Sequence, residues 1–275
     1  MLNVERHAVD QTYAKQTFEF QSGRMTKLIA AIPNTQPALA GVFDASYKLA
    51  AAASVIAPEE SVLQSAVHTN AQAAAAMFTL HHQKVSGRPM NYTGPIGGST
   101  VQIVGQAPNS SLGPVNYQIG LYCSLISRDD DANHQLCVTP PVSIRRSGVE
   151  ADEYQYAWIS MLGRISRREN LDGAVDAVIA ETAPDLVKIA TRNHVDATLW
   201  LARAAEAARS RNAAAVNDGL AKSLEYFRKV WEEDPKSWQG WLSLGATAIA
   251  CWALDRGISI TVESEYMPSA LLRKP

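Results

Sequence analysis

The sequence predicts an all-α protein, and three observations lead to this fold class. Hydrophobic residues make up 47% of the chain, but aromatic residues make up only 7%. Alanine fills the difference, in runs of four at 50–53 and 73–76, and alanine is the best helix former. Apolar residues recur at helical spacing between short glycine and proline signals. We therefore expect residues 1–275 to form a single all-α domain, with a candidate sub-boundary in the Gly/Pro-rich loop 86–110.

The first part of the chain is predicted to form four helices. The first is expected over 4–20, and a second from Ser22, an N-cap residue type, to the residue before Pro33. The third, 37–56, opens with proline, which suits the first position of a helix. A proline followed by two acids begins the fourth, 58–85, because acidic residues stabilise the first turn.

The rest of the chain shows helical patterns in nearly unbroken succession. Asp152 can cap one of these helices, and Gly257 after Arg256 is the expected stop of the last. All six tryptophans follow residue 157, so we expect the tighter core in the second half. The predicted helices are 113–127, 130–138, 141–146, 152–168, 171–182, 185–190, 193–209, 212–233 and 237–256.

In two short segments, apolar and polar residues alternate as they do in a β-strand. The segment 99–104 is rich in β-branched residues and lies between Gly/Pro clusters, and 258–263 follows the last long helix. A single strand is unstable because its backbone groups lack partners. We therefore predict one small two-stranded β element in which 99–104 pairs with 258–263, with Glu263 and Glu265 near its surface.

Composition and charge argue against several classes of function. The net charge is −2 and no sustained Lys/Arg stripe is present, so no nucleic-acid partner is expected. The N-terminus is charged where a signal peptide would be apolar. The most apolar predicted helix, 241–254, is too short to span a bilayer, so no membrane partner is expected. Three widely spaced cysteines indicate reduced thiols in a cytoplasmic protein.

Motifs for catalysis, metals and cofactors are weak. The glycine-rich 94–100 lacks the lysine of a phosphate loop and precedes a strand instead of following one. The adjacent His81 and His82 would point about 100° apart on a helix. His134 and Cys137 supply only two of the four ligands that structural zinc needs. The sequence therefore predicts no enzyme activity, no cofactor and no metal site.

Carboxylates and tyrosines cluster at two predicted helix starts. Asp129 and Asp130 either cap a helix and interact with its dipole or form part of an acidic docking patch. Asp152, Glu153 and Tyr156 begin another helix, where tyrosine offers both a large contact area and a polar group for recognition. The sequence is consistent with three interpretations of these residues: helix capping, core packing and partner binding.

One further segment indicates protein binding. Trp241-x-x-Leu244-Gly245 follows Asp234-Pro235 and resembles part of a tetratricopeptide repeat. The 34-residue period of that repeat does not recur convincingly elsewhere in the sequence. A single helical hairpin is the alternative interpretation.

Two segments together resemble the immunity protein 49 family of bacterial polymorphic toxin systems. The second, from Gly245 to Leu272, is similar to the family's C-terminal hallmark, with Glu265 for the usual aspartate and Met267 for leucine. The first shows the family's order of short motifs before a block rich in acids and tyrosines over 150–158: Arg128-Asp129, Leu136-Cys137, Pro141-Val142 and Arg146-Ser147-Gly148.

The resemblance implies an all-α cytoplasmic protein that binds and neutralises a cognate toxin encoded by a neighbouring gene, without catalysis. Acidic residues would speed association with a basic toxin surface. The alternatives are a tetratricopeptide-like scaffold and an enzyme that reverses a covalent modification made by a toxin. The candidate toxin-binding residues are Asp129, Asp130, Asp152, Glu153, Tyr156, Glu263, Glu265 and Tyr266.

Overall fold

The computed structural model describes residues 2–105 and 112–274, and it confirms the all-α prediction. Within these residues, two sheets of two strands each accompany twelve α-helices and a 3₁₀ turn at Trp238–Gly240. The strands are β1 (Leu2–Asn3), β2 (Asn91–Ile96), β3 (Ser99–Val104) and β4 (Val262–Glu263). The helices are α1 (Gln11–Ala31), α2 (Gln36–Ile56), α3 (Ser61–Val85), α4 (Pro114–Ser127), α5 (Asp130–Val138), α6 (Pro141–Arg145), α7 (Glu153–Ser166), α8 (Ala174–Glu181), α9 (Arg192–Arg209), α10 (Ala213–Trp231), α11 (Leu244–Asp255) and α12 (Ser269–Leu272).

The alanine runs form the closely packed centre of the helical array. Residues 50–53 of α2 and 73–76 of α3 are all buried. Gly120 of α4 lies against Ala74, and a Cβ atom at Gly120 would come within 2.5 Å of the Ala74 methyl group. Small side chains therefore let α3 and α4 approach closely. The buried hydrophobic cluster continues from Val4 to Leu271, on both sides of the loop region 86–110.

The N-terminal segment differs from the predicted helix over 4–20. The Asp10 carboxylate accepts the Tyr13 N–H at 2.9 Å and caps α1, so the helix begins at Gln11 and continues past Ser22 to Ala31. Of the preceding residues, Leu2–Asn3 form β1 and residues 4–10 have no regular secondary structure. The Val4 N–H donates to the Glu263 carbonyl at 3.1 Å, and the Asp10 N–H donates at 3.1 Å to the Pro235 carbonyl instead of to the Arg6 carbonyl that a helix over 4–20 would supply.

The predicted pairing of 99–104 with 258–263 is wrong. Instead, β3 pairs antiparallel with β2, and β4 pairs in parallel with β1. The turn between β2 and β3 consists of Gly97 and Gly98, which both have positive φ, as a type I′ hairpin turn requires. The tight turn gives β3 a local partner, whereas the sequence of β2 contains glycine and proline and carries little strand signal.

The predicted helix over 185–190 is also absent from the structure. The backbone N–H groups of Lys188 and Ala190 donate to the Asp152 carboxylate, each at 2.8 Å, instead of to helical carbonyl oxygens. A distant side chain therefore determines the conformation of this loop.

The helix Pro37–Ile56 has the length and hydropathy of a membrane-spanning segment. Sixty-seven per cent of its most apolar window is nevertheless buried inside the fold, which is the behaviour of a core helix. The helices range from 4 residues in α12 to 25 in α3, which differs from the equal stacked pairs of a tetratricopeptide array.

Candidate functional site

The eight candidate residues lie in three different parts of the fold. Asp129 and Asp130 lie at the start of α5, and Asp152, Glu153 and Tyr156 lie at the start of α7. Glu263, Glu265 and Tyr266 lie in and after β4. The structure therefore divides the predicted patch into groups with different surroundings.

Asp129 organises the start of α5. Its carboxylate accepts the Ala132 N–H at 2.9 Å, and its side chain is only 9% exposed. Its second oxygen lies 3.4 Å from both His68 Nε2 and Gln72 Nε2 on α3. Helix capping and attachment to α3 therefore account for Asp129, while the neighbouring Asp130 is exposed.

Asp152 is buried and fixes the loop 183–191 beside α7. Its carboxylate accepts backbone N–H groups from Lys188, Ile189 and Ala190 at 2.8–3.2 Å. Burial raises the pKa of the Asp152 carboxyl, but the three hydrogen bonds outweigh burial and hold the pKa below its ordinary value. Asp152 therefore positions the loop, and the Ile189 side chain with it.

Glu153 and Tyr156 both interact with Arg145 of α6. The Arg145 guanidinium donates to the two Glu153 carboxylate oxygens at 2.7 and 2.5 Å. The same group lies 3.8 Å from the centroid of the Tyr156 ring. The ion pair raises the pKa of Arg145 and lowers the pKa of Glu153. Arg145 is thereby held in one orientation, with its side chain still 45% exposed.

Exposed aliphatic side chains flank this ion pair. Val149 is 47% exposed and Ile189 is 60% exposed. Both line one open depression together with Arg145, Glu153, Tyr156 and Lys188. We call these six residues the Arg145 surface. It combines a fixed cation with bare aliphatic groups, which is the chemistry of a protein-binding surface, and the Tyr156 ring beneath Arg145 is only 7% exposed and supports the cation from below.

The sequence predictions missed Arg145, Val149 and Ile189. The family-like pattern drew attention to Arg146 instead, one residue away from the residue that pairs with Glu153. A basic residue eight positions before Glu153, across a glycine turn, was the available signal for Arg145. No local pattern could place Ile189 there, because Asp152 brings the loop across from a distant part of the sequence.

Tyr266 is fully buried and joins the two ends of the chain. Its hydroxyl accepts the His7 N–H at 2.9 Å, and its carbonyl accepts the Ser243 N–H at 2.9 Å. Its ring packs edge-on against Phe227, with the two ring centroids 5.2 Å apart. Tyr266 is 0% exposed, so the expectation that it contacts a partner is corrected to a structural role.

Glu263 and Glu265 are exposed, as their predicted position near a surface requires. The backbone beneath them is anchored by Arg6, whose guanidinium donates to the Glu265 carbonyl and, at 3.2 Å, to the Ser54 carbonyl. Burial lowers the pKa of Arg6 to about 10. The two carboxylates therefore lie on a well-anchored segment and face solvent.

Metal ligands and reactive thiols are not brought together in the described part of the chain. Among residues 2–105 and 112–274, no group of three or more His, Cys, Asp or Glu side chains is placed to hold a metal ion. The three cysteines are free, and burial raises the pKa of the Cys251 thiol to about 12. Such a thiol stays protonated at neutral pH and is a poor nucleophile.

Comparison with known proteins gives one match. The model of the family described as Immunity protein 49 matches residues 57–271, more than three quarters of the chain. The match includes the Arg145 surface and all eight candidate residues, and it begins after α2. Neither a curated protein nor a solved structure matches the chain.

Proposed function

The chain belongs to the immunity protein 49 family, and from this membership we propose that it binds a cognate toxin protein in the cytoplasm and neutralises it without catalysis. The family match over residues 57–271 is the observation that carries the proposal. The toxin is encoded by a neighbouring gene. Protection of this kind is stoichiometric, so each toxin molecule must be held tightly by one molecule of the immunity protein.

The required affinity is within reach of an ordinary protein interface. About 1,600 Å² of buried surface with a few strong anchor residues supports nanomolar binding. Arginine and tyrosine are enriched among such anchors. The Arg145 surface offers one of these types, because the Arg145 guanidinium is exposed and rests on the buried Tyr156 ring.

The Arg145 surface is the proposed centre of the toxin interface. Arg145 is already held by Glu153 and Tyr156, so little side-chain freedom is lost when a partner binds. Val149 and Ile189 supply apolar area that becomes buried in the complex. The loop that carries Ile189 is fixed by Asp152, so the surface is formed before the toxin arrives.

Exposed carboxylates have a separate role in this proposal. Within the described residues, Asp130, Glu263 and Glu265 take part in no ion pair, whereas Glu153 is neutralised by Arg145. Unpaired surface charges act over about 10 Å at moderate salt and change association rates more than final affinity. These three acids would therefore steer a basic toxin toward the protein, and the Arg145 surface would hold it.

Co-expression tests the function directly. The neighbouring open reading frame is expressed in a bacterial host with and without this protein. We expect growth arrest from the neighbouring gene product alone and normal growth when the two are expressed together. Arrest that this protein fails to relieve would contradict the proposed function.

A matched pair of variants tests the surface in the same assay. Ile189→Asp places a charge in the proposed interface, and Val104→Asp makes a comparable change at an aliphatic residue that is 61% exposed on β3. We expect the Ile189 variant to lose protection and the Val104 variant to keep it. Equal protection by the two variants would remove the Arg145 surface from the proposal and leave the toxin-binding function standing.

A further inference from the structure

A cavity of about 400 Å³ lies among α2, α4, α9, α10 and α11, on different elements from the Arg145 surface. Small-molecule sites in proteins commonly have volumes of about 300–1,000 Å³. The cavity is rich in aromatic side chains, and those that line it are Phe43, Tyr47, Tyr122, Phe227, Trp231 and Trp238. Both its size and its lining suit a small ligand with a flat, apolar body.

The aromatic wall is held in place by contacts between its own members. The Tyr47 and Trp238 rings meet edge to face with their centroids 4.7 Å apart. Trp231 packs edge to face against His194 at 5.7 Å. Gly245, another lining residue, lets α11 pack closely, since a Cβ atom there would come within 2.7 Å of Leu201 and 3.2 Å of the Tyr122 hydroxyl oxygen. The cavity is therefore largely preformed, which lowers the cost of binding.

Tyr122 is a hydrogen-bond donor without an acceptor in the wall of this cavity. Its oxygen accepts N–H groups from Trp158 at 2.5 Å and from Gln118 at 2.8 Å. Its side chain is only 5% exposed, and within the described residues its own O–H proton reaches no acceptor. Burial raises the pKa of the Tyr122 hydroxyl, so the proton stays in place at neutral pH. Two incoming hydrogen bonds also polarise the O–H group and strengthen it as a donor.

A second donor in the wall is unsatisfied. The Trp231 Nε1–H group is buried, and it has no partner among residues 2–105 and 112–274. A buried donor without an acceptor costs about 1–3 kcal/mol in general. The accessible surface of Trp231 Nε1 is below 1 Å², so a ligand in the cavity does not reach this atom, and the Tyr122 hydroxyl is the donor that points to a ligand with a hydrogen-bond acceptor.

Charge around the cavity selects against an ion. Asp44 is the one Asp or Glu among its described lining residues, and the Lys48 ammonium group neutralises it at 2.9 Å. Neither lysine nor arginine belongs to that lining. A charged ligand would lose its hydration without gaining a counter-charge, and that loss is expensive.

We propose that this cavity is a binding site for a small uncharged molecule with a planar apolar body and a carbonyl group that accepts the Tyr122 hydroxyl proton. The planar body lies along the aromatic wall, to which Trp231 contributes its ring. Phe43, Asp44 and Tyr47 come from α2, which precedes the matched family region, so the N-terminal helices complete the site. Ligand binding at this site does not depend on toxin binding, so a failed test of the site would leave the proposed function unaffected, and the reverse also holds.

The probe 6-propionyl-2-(dimethylamino)naphthalene tests the proposal on the full chain. It is uncharged and planar, it carries one ketone, and its emission moves to shorter wavelength in a dry environment. We expect a saturable blue shift with one site per chain. Emission that rises linearly with protein concentration, without saturation, would overturn the proposal.

A matched pair of exposed valines localises the probe. Val115 lines the cavity and is 50% exposed, and it follows Pro114 at the start of α4. Val142 is 55% exposed, follows Pro141 at the start of α6 and is not part of the lining. We expect Val115→Trp to weaken probe binding at least tenfold and Val142→Trp to leave it unchanged. Equal effects of the two substitutions would place the probe elsewhere and refute the site.

The role of the carbonyl is tested with the wild-type protein. The competitor 2-(dimethylamino)naphthalene has the same ring system without the ketone, and we expect it to bind at least tenfold more weakly than the probe. Tyr122→Phe should reduce that difference, provided that its circular dichroism and melting curve show a folded chain. If that variant does not fold, the comparison of probe and competitor on the wild-type protein is the test. Equal affinity of the two compounds would show that no donor in the cavity recognises the carbonyl.

Discussion

The Tyr266 hydroxyl lies 2.7 Å from Nδ1 of His7, and the two residues are 259 positions apart in the sequence. His7 precedes the first helix, and Tyr266 follows β4. The same hydroxyl accepts the His7 backbone N–H at 2.9 Å. Both residues are buried, so this contact, together with the pairing of β1 and β4, fastens the two ends of the chain inside the fold.

Tyr266→Phe should destabilise the protein without altering its fold. The substitution leaves the His7 N–H and ring nitrogen without their buried partner, and such a loss costs about 1–3 kcal/mol. The free energy of unfolding in urea measures the effect. Tyr13→Phe is the control, because Tyr13 is 38% exposed, and it should change stability by less than about 0.5 kcal/mol. Equal stability of the two variants would contradict the structural role of Tyr266.

Asp152→Asn should destabilise the loop 183–191, and the effect should depend on pH. The pKa of Asp152 is lower in the folded protein than its ordinary value of 3.8, so the unfolded chain binds the proton more readily. The stabilisation by the carboxylate is therefore present above about pH 4 and disappears as the pH falls through the lower pKa of the folded state.

Hydrogen exchange of the Lys188, Ile189 and Ala190 amides measures this effect. At pH 6 we expect faster exchange in Asp152→Asn than in the wild type, after correction for intrinsic rates. The difference should shrink as the pH is lowered below 3.8. A difference that stays constant from pH 6 to pH 2.5 would show that the charge of Asp152 does not hold the loop.

Arg145→Ala should weaken toxin binding by about 2 kcal/mol or more, roughly thirtyfold, if Arg145 is an interface anchor. Arg167→Ala is a close control, because Arg167 also donates to both carboxylate oxygens of a glutamate, Glu169, at 2.6 and 3.0 Å. Its side chain is 42% exposed, compared with 45% for Arg145. Calorimetric titration of the purified toxin into each variant measures the affinity. Similar losses in the two variants would mean that the Arg145 surface holds no anchor.

Reversing the charges of Glu263 and Glu265 to lysine should slow association with the toxin and flatten its dependence on salt. The reason is that exposed charges steer the encounter, while dissociation depends on packed contacts. Stopped-flow kinetics at 20 and 300 mM salt measure both rates. The control reverses Asp176 and Glu206, two exposed acids on α8 and α9, with the same change in net charge. Equal slowing by both pairs would exclude a steering role specific to the β4 segment.

The sequence predicted most helices because their signals are local. Pro37 lies in the first turn of α2 as predicted, and the bounds of 130–138 agree with α5 in full, whereas α3 begins at Ser61 and not at the predicted Pro58. The alanine runs correctly indicated a closely packed helical core. Membership in the immunity family was also visible in the order of short motifs, and the family match supports that resemblance.

The errors occurred where distant residues decide the local structure. The segment 185–190 is helical by pattern, yet the buried Asp152 carboxylate takes its N–H groups. Residues 2–10 are not helical, because Leu2–Asn3 pair with β4 and the N–H groups of Val4 and Asp10 donate to distant carbonyl oxygens. The partners of the two predicted strands depended on a glycine turn and on the chain terminus, and strand alternation contains information about neither.

The sequence by itself determined that this chain is a helical member of an immunity family. Apolar spacing and capping residues predict the helices, and the order of the short motifs indicates the family. Only the tertiary structure decided which residues share a surface. It placed Arg145 between Glu153 and Tyr156, moved Tyr266 into the core and gathered side chains from α2, α4 and α10 around one cavity. The physical reason is that a binding surface is made by packing between elements far apart in sequence, whereas helix formation depends on residues within a few positions of one another.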